Sequence, residues 1–143
     1  MNRRDFLKLG ALAGGSVLPA DWLFNPELAQ AAPSEVVSKF GILKMTLTAD
    51  ERMIKYGNST RWAMTYNGTF PAPTMRVNPG DTLQITLVNK LSNPTNLHTH
   101  GLHVSPSGNA DNPLLMIDPG KTFNYVIKIP KNQKSGTFWY HPH

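Results

Sequence analysis

All five histidines of this 143-residue chain fall in two short pieces, Asn96-Leu97-His98-Thr99-His100-Gly101-Leu102-His103 and Trp139-Tyr140-His141-Pro142-His143. In an extended strand the side chains at i and i+2 leave the same face, about 6–7 Å apart. His98 and His100 then point together, and so do His141 and His143. Pro142 favours the second pairing, because its ring holds φ near the extended range and biases His141 away from helix. Four imidazoles aimed at a common place make a transition-metal site, since neutral imidazole suits copper, zinc, iron and nickel. The plain alternative is two surface histidine pairs on edge strands. His103 comes three residues after His100 and would face the other way on a continuing strand, which gives it an outer or solvent-facing role rather than ligation.

Spacing alone leaves the metal open. A zinc hydrolase site would take three histidines plus water, drawn from His98, His100 and either His141 or His143. A blue-copper electron-transfer site needs a cysteine thiolate, and the chain has no cysteine, so none can be built from this chain alone. The same absence rules out disulfides.

The elements that must carry these residues read as strands. From Val36 onward short apolar or alternating runs are separated by Gly, Pro and Asn, without a convincing helical period, so the expected class is all-β, a sandwich or barrel. Strands are expected over Phe40–Leu47, Arg61–Tyr66, Met75–Val77, Thr82–Asn89, an alternating run through Phe123, Tyr125, Ile127 and Ile129, and Thr137–His143. The polar stretch 49–58 reads as loop or a turn of helix. Asn67-Gly68 is a turn dipeptide, and Asn78-Pro79-Gly80-Asp81 and Asp118-Pro119-Gly120-Lys121 are Pro-Gly turns. Pro71 and Pro73 remove two ladder donors, so 70–74 should cross an edge or corner. Met45, Met53, Met64, Met75 and Met116 are spread evenly, which suits core packing better than a Cu(I) store.

The start of the chain has a different character. Asn2-Arg3-Arg4-Asp5-Phe6-Leu7-Lys8, a small and apolar run from Gly10 to Ala20, and Ala29-Gln30-Ala31 together read as a twin-arginine export signal over residues 1–31. The apolar run is too short and glycine-rich to span a bilayer, so no stable membrane span is expected, and 32–143 should form the exported domain, periplasmic or extracellular. The net charge is +5, and charges within 1–31 balance. Basic residues in the remainder are scattered singly, which argues for a solvated surface and against nucleic-acid binding.

Four stretches in order carry a specific resemblance: Tyr66-Asn67-Gly68-Thr69-Phe70-Pro71-Ala72-Pro73-Thr74-Met75-Arg76-Val77, Pro79-Gly80-Asp81-Thr82-Leu83, Asn96 to Val104, and Gly136-Thr137-Phe138-Trp139-Tyr140-His141-Pro142-His143. Together they resemble the N-terminal cupredoxin domain of the multicopper oxidases, the laccase-like and copper-resistance enzymes. The resemblance implies a plastocyanin-like Greek-key β-sandwich that lacks its C-terminal strands here, so an unpaired edge is expected. It implies that His98 holds a type 2 copper, that His100 and His141 share one type 3 copper, and that His143 serves the other. Asp111 matches the acidic residue that assists proton delivery to oxygen, with a loop-capping aspartate as the alternative. The family completes this cluster with a C-terminal cupredoxin domain that also carries the cysteine, so the chain is expected to be a fragment of a longer oxidase. That oxidase would reduce dioxygen to water while oxidising a reducing substrate. A non-enzymatic copper-binding or copper-tolerance module is the second reading, and a zinc hydrolase the third.

Overall fold

The hydrophobic alternation of residues 82–89 is the spine of the structure. In the computed structural model, which describes residues 34–143, Leu83, Ile85, Leu87 and Asn89 of β5 (Thr82–Asn89) are buried and the residues between them are half-buried. β5 lies between β2 (Ile42–Tyr56), which runs parallel to it, and β7 (Thr122–Lys128), which runs antiparallel. With β3 (Ser59–Tyr66) outside β2, the sheet order is β3-β2-β5-β7. Two further ladders complete the described strands: β1 (Glu35–Val37) parallel to β4 (Thr74–Arg76), and β6 (His98–His100) antiparallel to β8 (Trp139–His141). β7 therefore stands at the edge of the four-stranded sheet. The expected export signal, residues 1–31, lies outside the described residues.

The core is built from inward residues of the large sheet, Leu43, Leu47, Leu83, Ile85, Leu87, Tyr125 and Ile127, closed by Leu97 from the segment entering β6. Each such side chain contributes about 1.5–3 kcal/mol by leaving water. Both Pro-Gly turns form as expected, with Gly80 at φ 93° and Gly120 at φ 73°. In each, the residue after the glycine donates its N–H back to the residue before the proline, at 3.1 and 3.0 Å. A left-handed φ is what glycine supplies without a Cβ penalty. Residues 70–73 stay outside the ladders, as their prolines require.

Three expectations are corrected. Phe40 and Gly41 form a tight turn before β2 rather than its first residues, with positive φ at both and Phe40 fully exposed. The polar stretch 49–58 is strand for most of its length, because β2 changes partner at Ala49. Its first half pairs with β5 and its second half with β3. In that outer ribbon both faces are largely exposed, so no alternation was available to mark it. The methionines divide: Met45 and Met75 pack against the core, whereas Met53, Met64 and Met116 are 48, 63 and 74% exposed, so core packing does not account for them.

Candidate metal centre

The β6–β8 ladder pairs His98 with His141, Thr99 with Tyr140 and His100 with Trp139. With a side-chain period of two, Leu97, Thr99 and Tyr140 share one face while His98, His100, Trp139 and His141 share the other. Leu97 is fully buried, so burial of its face against the core turns the imidazoles outward. Continuing the register sets His143 opposite Asn96, and the His143 N–H donates to the Asn96 side-chain oxygen at 2.6 Å. The structure thus brings His98, His100, His141 and His143 together. His98 lies 4.8 Å from His100, 5.8 Å from His141 and 5.4 Å from His143, ring centre to ring centre. His100 and His141 stack at 5.0 Å.

Hydrogen bonds decide which nitrogen each ring presents. Asp111 Oδ1 sits 2.9 Å from His98 Nδ1, and a carboxylate only accepts, so Nδ1 carries the proton and Nε2 is left for a metal. His141 Nδ1 is held by the Pro142 carbonyl, which likewise only accepts. The same inference frees His141 Nε2. His100 Nε2 is 2.8 Å from that atom, within hydrogen-bonding distance. The pair therefore fits either a shared proton or a shared metal.

The electrostatics favour a neutral ring at His100. Removal of solvent lowers the pKa of His100, and the neighbouring His98 and His141 lower it further. Among the described residues no three His, Asp or Glu side chains converge on a single ion position. His103 is exposed and lies beyond the end of β6, and its backbone N–H donates to Gln133 Oε1 at 2.9 Å.

Asp111 is buried, 5% exposed. Besides His98 it accepts from the Thr99 N–H at 3.0 Å and the Thr99 hydroxyl at 2.6 Å. It thereby ties the loop after β6 to β6 itself.

Several positioning residues escaped the sequence reading. Asn96, 1% exposed, donates from Nδ2 to the carbonyls of Pro113 and Leu115 at 3.0 and 3.1 Å while accepting from His143. Gln133 donates to the Gly101 carbonyl at 3.1 Å and, through the bond to His103, clamps the exit from β6. Three tyrosines grip backbone beneath the ladder: Tyr66 donates to the Asn96 carbonyl, Tyr140 to the Pro73 carbonyl, and Tyr125 accepts from the Leu97 N–H. Burial pushes the Tyr140 phenol up to about 12, so it stays a donor. Trp139 stacks on His100 at 4.3 Å and on His141 at 4.5 Å. An asparagine two residues before a histidine strand was the one available signal, since a short polar residue at a strand entrance often bonds backbone.

These strands define an all-β, cupredoxin-like domain that displays four imidazoles on one face of its β6–β8 ladder. The profile of the multicopper oxidase family matches residues 48–143. Copper resistance protein A of Escherichia coli is 33% identical over 99% of this chain and 23% of its own length. The multicopper oxidase mco of Staphylococcus epidermidis is 39% identical over 72% of this chain and 23% of its own. A solved multicopper oxidase from Campylobacter jejuni, described as a metallo-oxidase, superposes with a TM-score of 0.63 at 34% identity, covering 80% of this chain and 26% of that one. The chain belongs to the multicopper oxidase family, and its cofactor is copper. It spans about a quarter of the length of these relatives.

Proposed function

We propose that this chain is the N-terminal part of an exported multicopper oxidase and supplies half of the histidine ligands of its oxygen-reducing copper cluster. The observation that carries the reading is the outward face of β6–β8, where four imidazoles stand together with the Nδ1 atoms of His98 and His141 already engaged. His98 would hold the type 2 copper, His100 and His141 one type 3 copper, and His143 the other. When bound, the copper ions supply the electron transfer that reduces dioxygen to water. The residues of this chain do the rest of the local work: Asp111 fixes the His98 tautomer and stands ready to move a proton near the cluster, Asn96 anchors His143, and Trp139 covers His100 and His141. The reducing substrate and the cysteine-bearing domain belong to the remainder of the protein, reached after export by the twin-arginine signal at residues 1–31. No helix of the described residues is long and apolar enough to cross a membrane.

The test is copper loading of the chain alone, followed by oxygen uptake with and without a partner domain that supplies the missing histidines and cysteine. Copper bound through the four histidines, no intense blue absorption and no oxygen consumption are expected of the chain alone. With the partner, oxygen uptake should appear and should vanish in His100→Ala. Copper binding that survives replacement of all four histidines by alanine would refute the site, and oxygen consumption by the chain alone would refute its incompleteness.

A further inference from the structure

The outer ribbon of β2 and β3 carries a cluster that the histidine site does not use. In its register Glu51 lies opposite Met64 and Met53 opposite Trp62. The period of two sets all four on one face of the ribbon. Met53 and Met64 are diagonal neighbours, about 7–8 Å apart between Cα atoms, which two unbranched thioether side chains can span. Trp62 lies beside both. Their exposures are 48% for Met53, 63% for Met64 and 73% for Trp62, so none has a place in the core.

The chemistry of this face is that of a soft cation site. The chain has no cysteine, so thioethers are its only soft sulfur ligands, and thioether sulfur selects Cu(I) over harder divalent ions. An indole face adds attraction for a cation, and Glu51 contributes negative charge across from Met64. We propose that Met53 and Met64 bind a soft monovalent metal ion, Cu(I), over the face of Trp62 and beside Glu51. The site is separate from the imidazole cluster and stands on its own residues, so failure of copper binding at the histidines would leave it unaffected.

The test uses the full chain with ¹³C-labelled methionine methyl groups, titrated with Ag(I) as an air-stable probe and then with Cu(I) under anaerobic conditions. The Met53 and Met64 methyl signals, assigned from Met53→Leu and Met64→Leu, should move together with one midpoint, while Met45, Met75 and Met116 stay in place. Zn(II), which suits imidazole but not thioether, should move neither. Leucine keeps the volume of methionine, so either variant should remain folded. Each should still weaken binding by at least the ~10-fold that losing a ligand's outer partner typically costs. Movement of Met116 at the same midpoint would overturn the proposal as indiscriminate thioether binding. So would unmoved Met53 and Met64 signals in excess metal, or shifts that follow protein concentration without metal, which would mark self-association.

Discussion

Replacing Asp111 separates a residue that orients a metal ligand from one that only closes a loop. Its carboxylate accepts from His98 Nδ1, the Thr99 N–H and the Thr99 hydroxyl. In Asp111→Ala the hydroxyl can turn to another partner, but the Thr99 N–H and the His98 ring N–H lose theirs in a part-buried setting. An unsatisfied buried group costs about 1–3 kcal/mol, so the two together should cost about 2–6 kcal/mol of folding stability. Asp111→Asn keeps an acceptor toward His98 and Thr99 and can accept or donate at the hydroxyl. It loses only charge assistance, so about 1–2 kcal/mol is expected. Urea unfolding of the metal-free protein measures both. Copper affinity supplies the second reading. With the tautomer of His98 no longer held, Asp111→Ala should bind copper about 10- to 100-fold more weakly, with Asp111→Asn between it and the parent. If Asp111→Ala loses stability yet binds copper as tightly as the parent, with an unchanged Cu(II) EPR spectrum, the orienting role is refuted and the loop cap is all that remains.

Asn96→Ala removes the acceptor of the His143 N–H and the donor to the Pro113 and Leu115 carbonyls. A stability loss of about 2–4 kcal/mol by urea unfolding is expected, together with loss of the His143 contribution to the Cu(II) EPR hyperfine pattern. Leu87→Ala should cost about 2–5 kcal/mol, because Leu87 is fully buried at the centre of β5; a loss below 1 kcal/mol, roughly, would mean that the site collapses freely. At Gly101, φ is 82° and an added Cβ would stand 2.6 Å from the Phe138 ring. Gly101→Ala should therefore destabilise by about 1–2 kcal/mol from backbone strain alone, and Phe138→Ala should not rescue that part. Acid should act in two stages. The His100 pKa is lowered in the folded state, so its contribution to metal-free stability is complete above the unfolded value of about 6.5 and is lost as the pH falls through the folded value. The Ser38 hydroxyl and the Asn78 N–H hold the Asp81 carboxyl below its ordinary range. Its contribution is present above about pH 4 and lost below, and Asp81→Asn should flatten that lower limb of the urea midpoint against pH.

Much of the fold could be read directly because strand burial leaves a period-two trace. β5 was legible to the residue, since one face of 82–89 meets the core and the other does not. The four ligand candidates were legible for the same reason: spacing of i and i+2 on an extended segment dictates a shared face whatever the rest of the protein does. The Pro-Gly turns were legible because their backbone angles admit few other residues. The outer half of β2 was not. A ribbon exposed on both faces carries no hydrophobic period, and only its partner β3 made it a strand.

What the sequence determined, then, was local: which residues alternate, where the chain turns, and which two imidazoles leave each strand together. Tertiary structure decided what lies far apart in sequence. It set the register that joins His98 to His141 and His143 to Asn96, the burial of Leu97 that turns the imidazoles outward, and the loop that returns Asp111 to the ring of His98. Those outcomes depend on which surfaces must leave water together. No window of neighbouring residues contains that information, because the partners lie 13 to 47 positions apart along the chain.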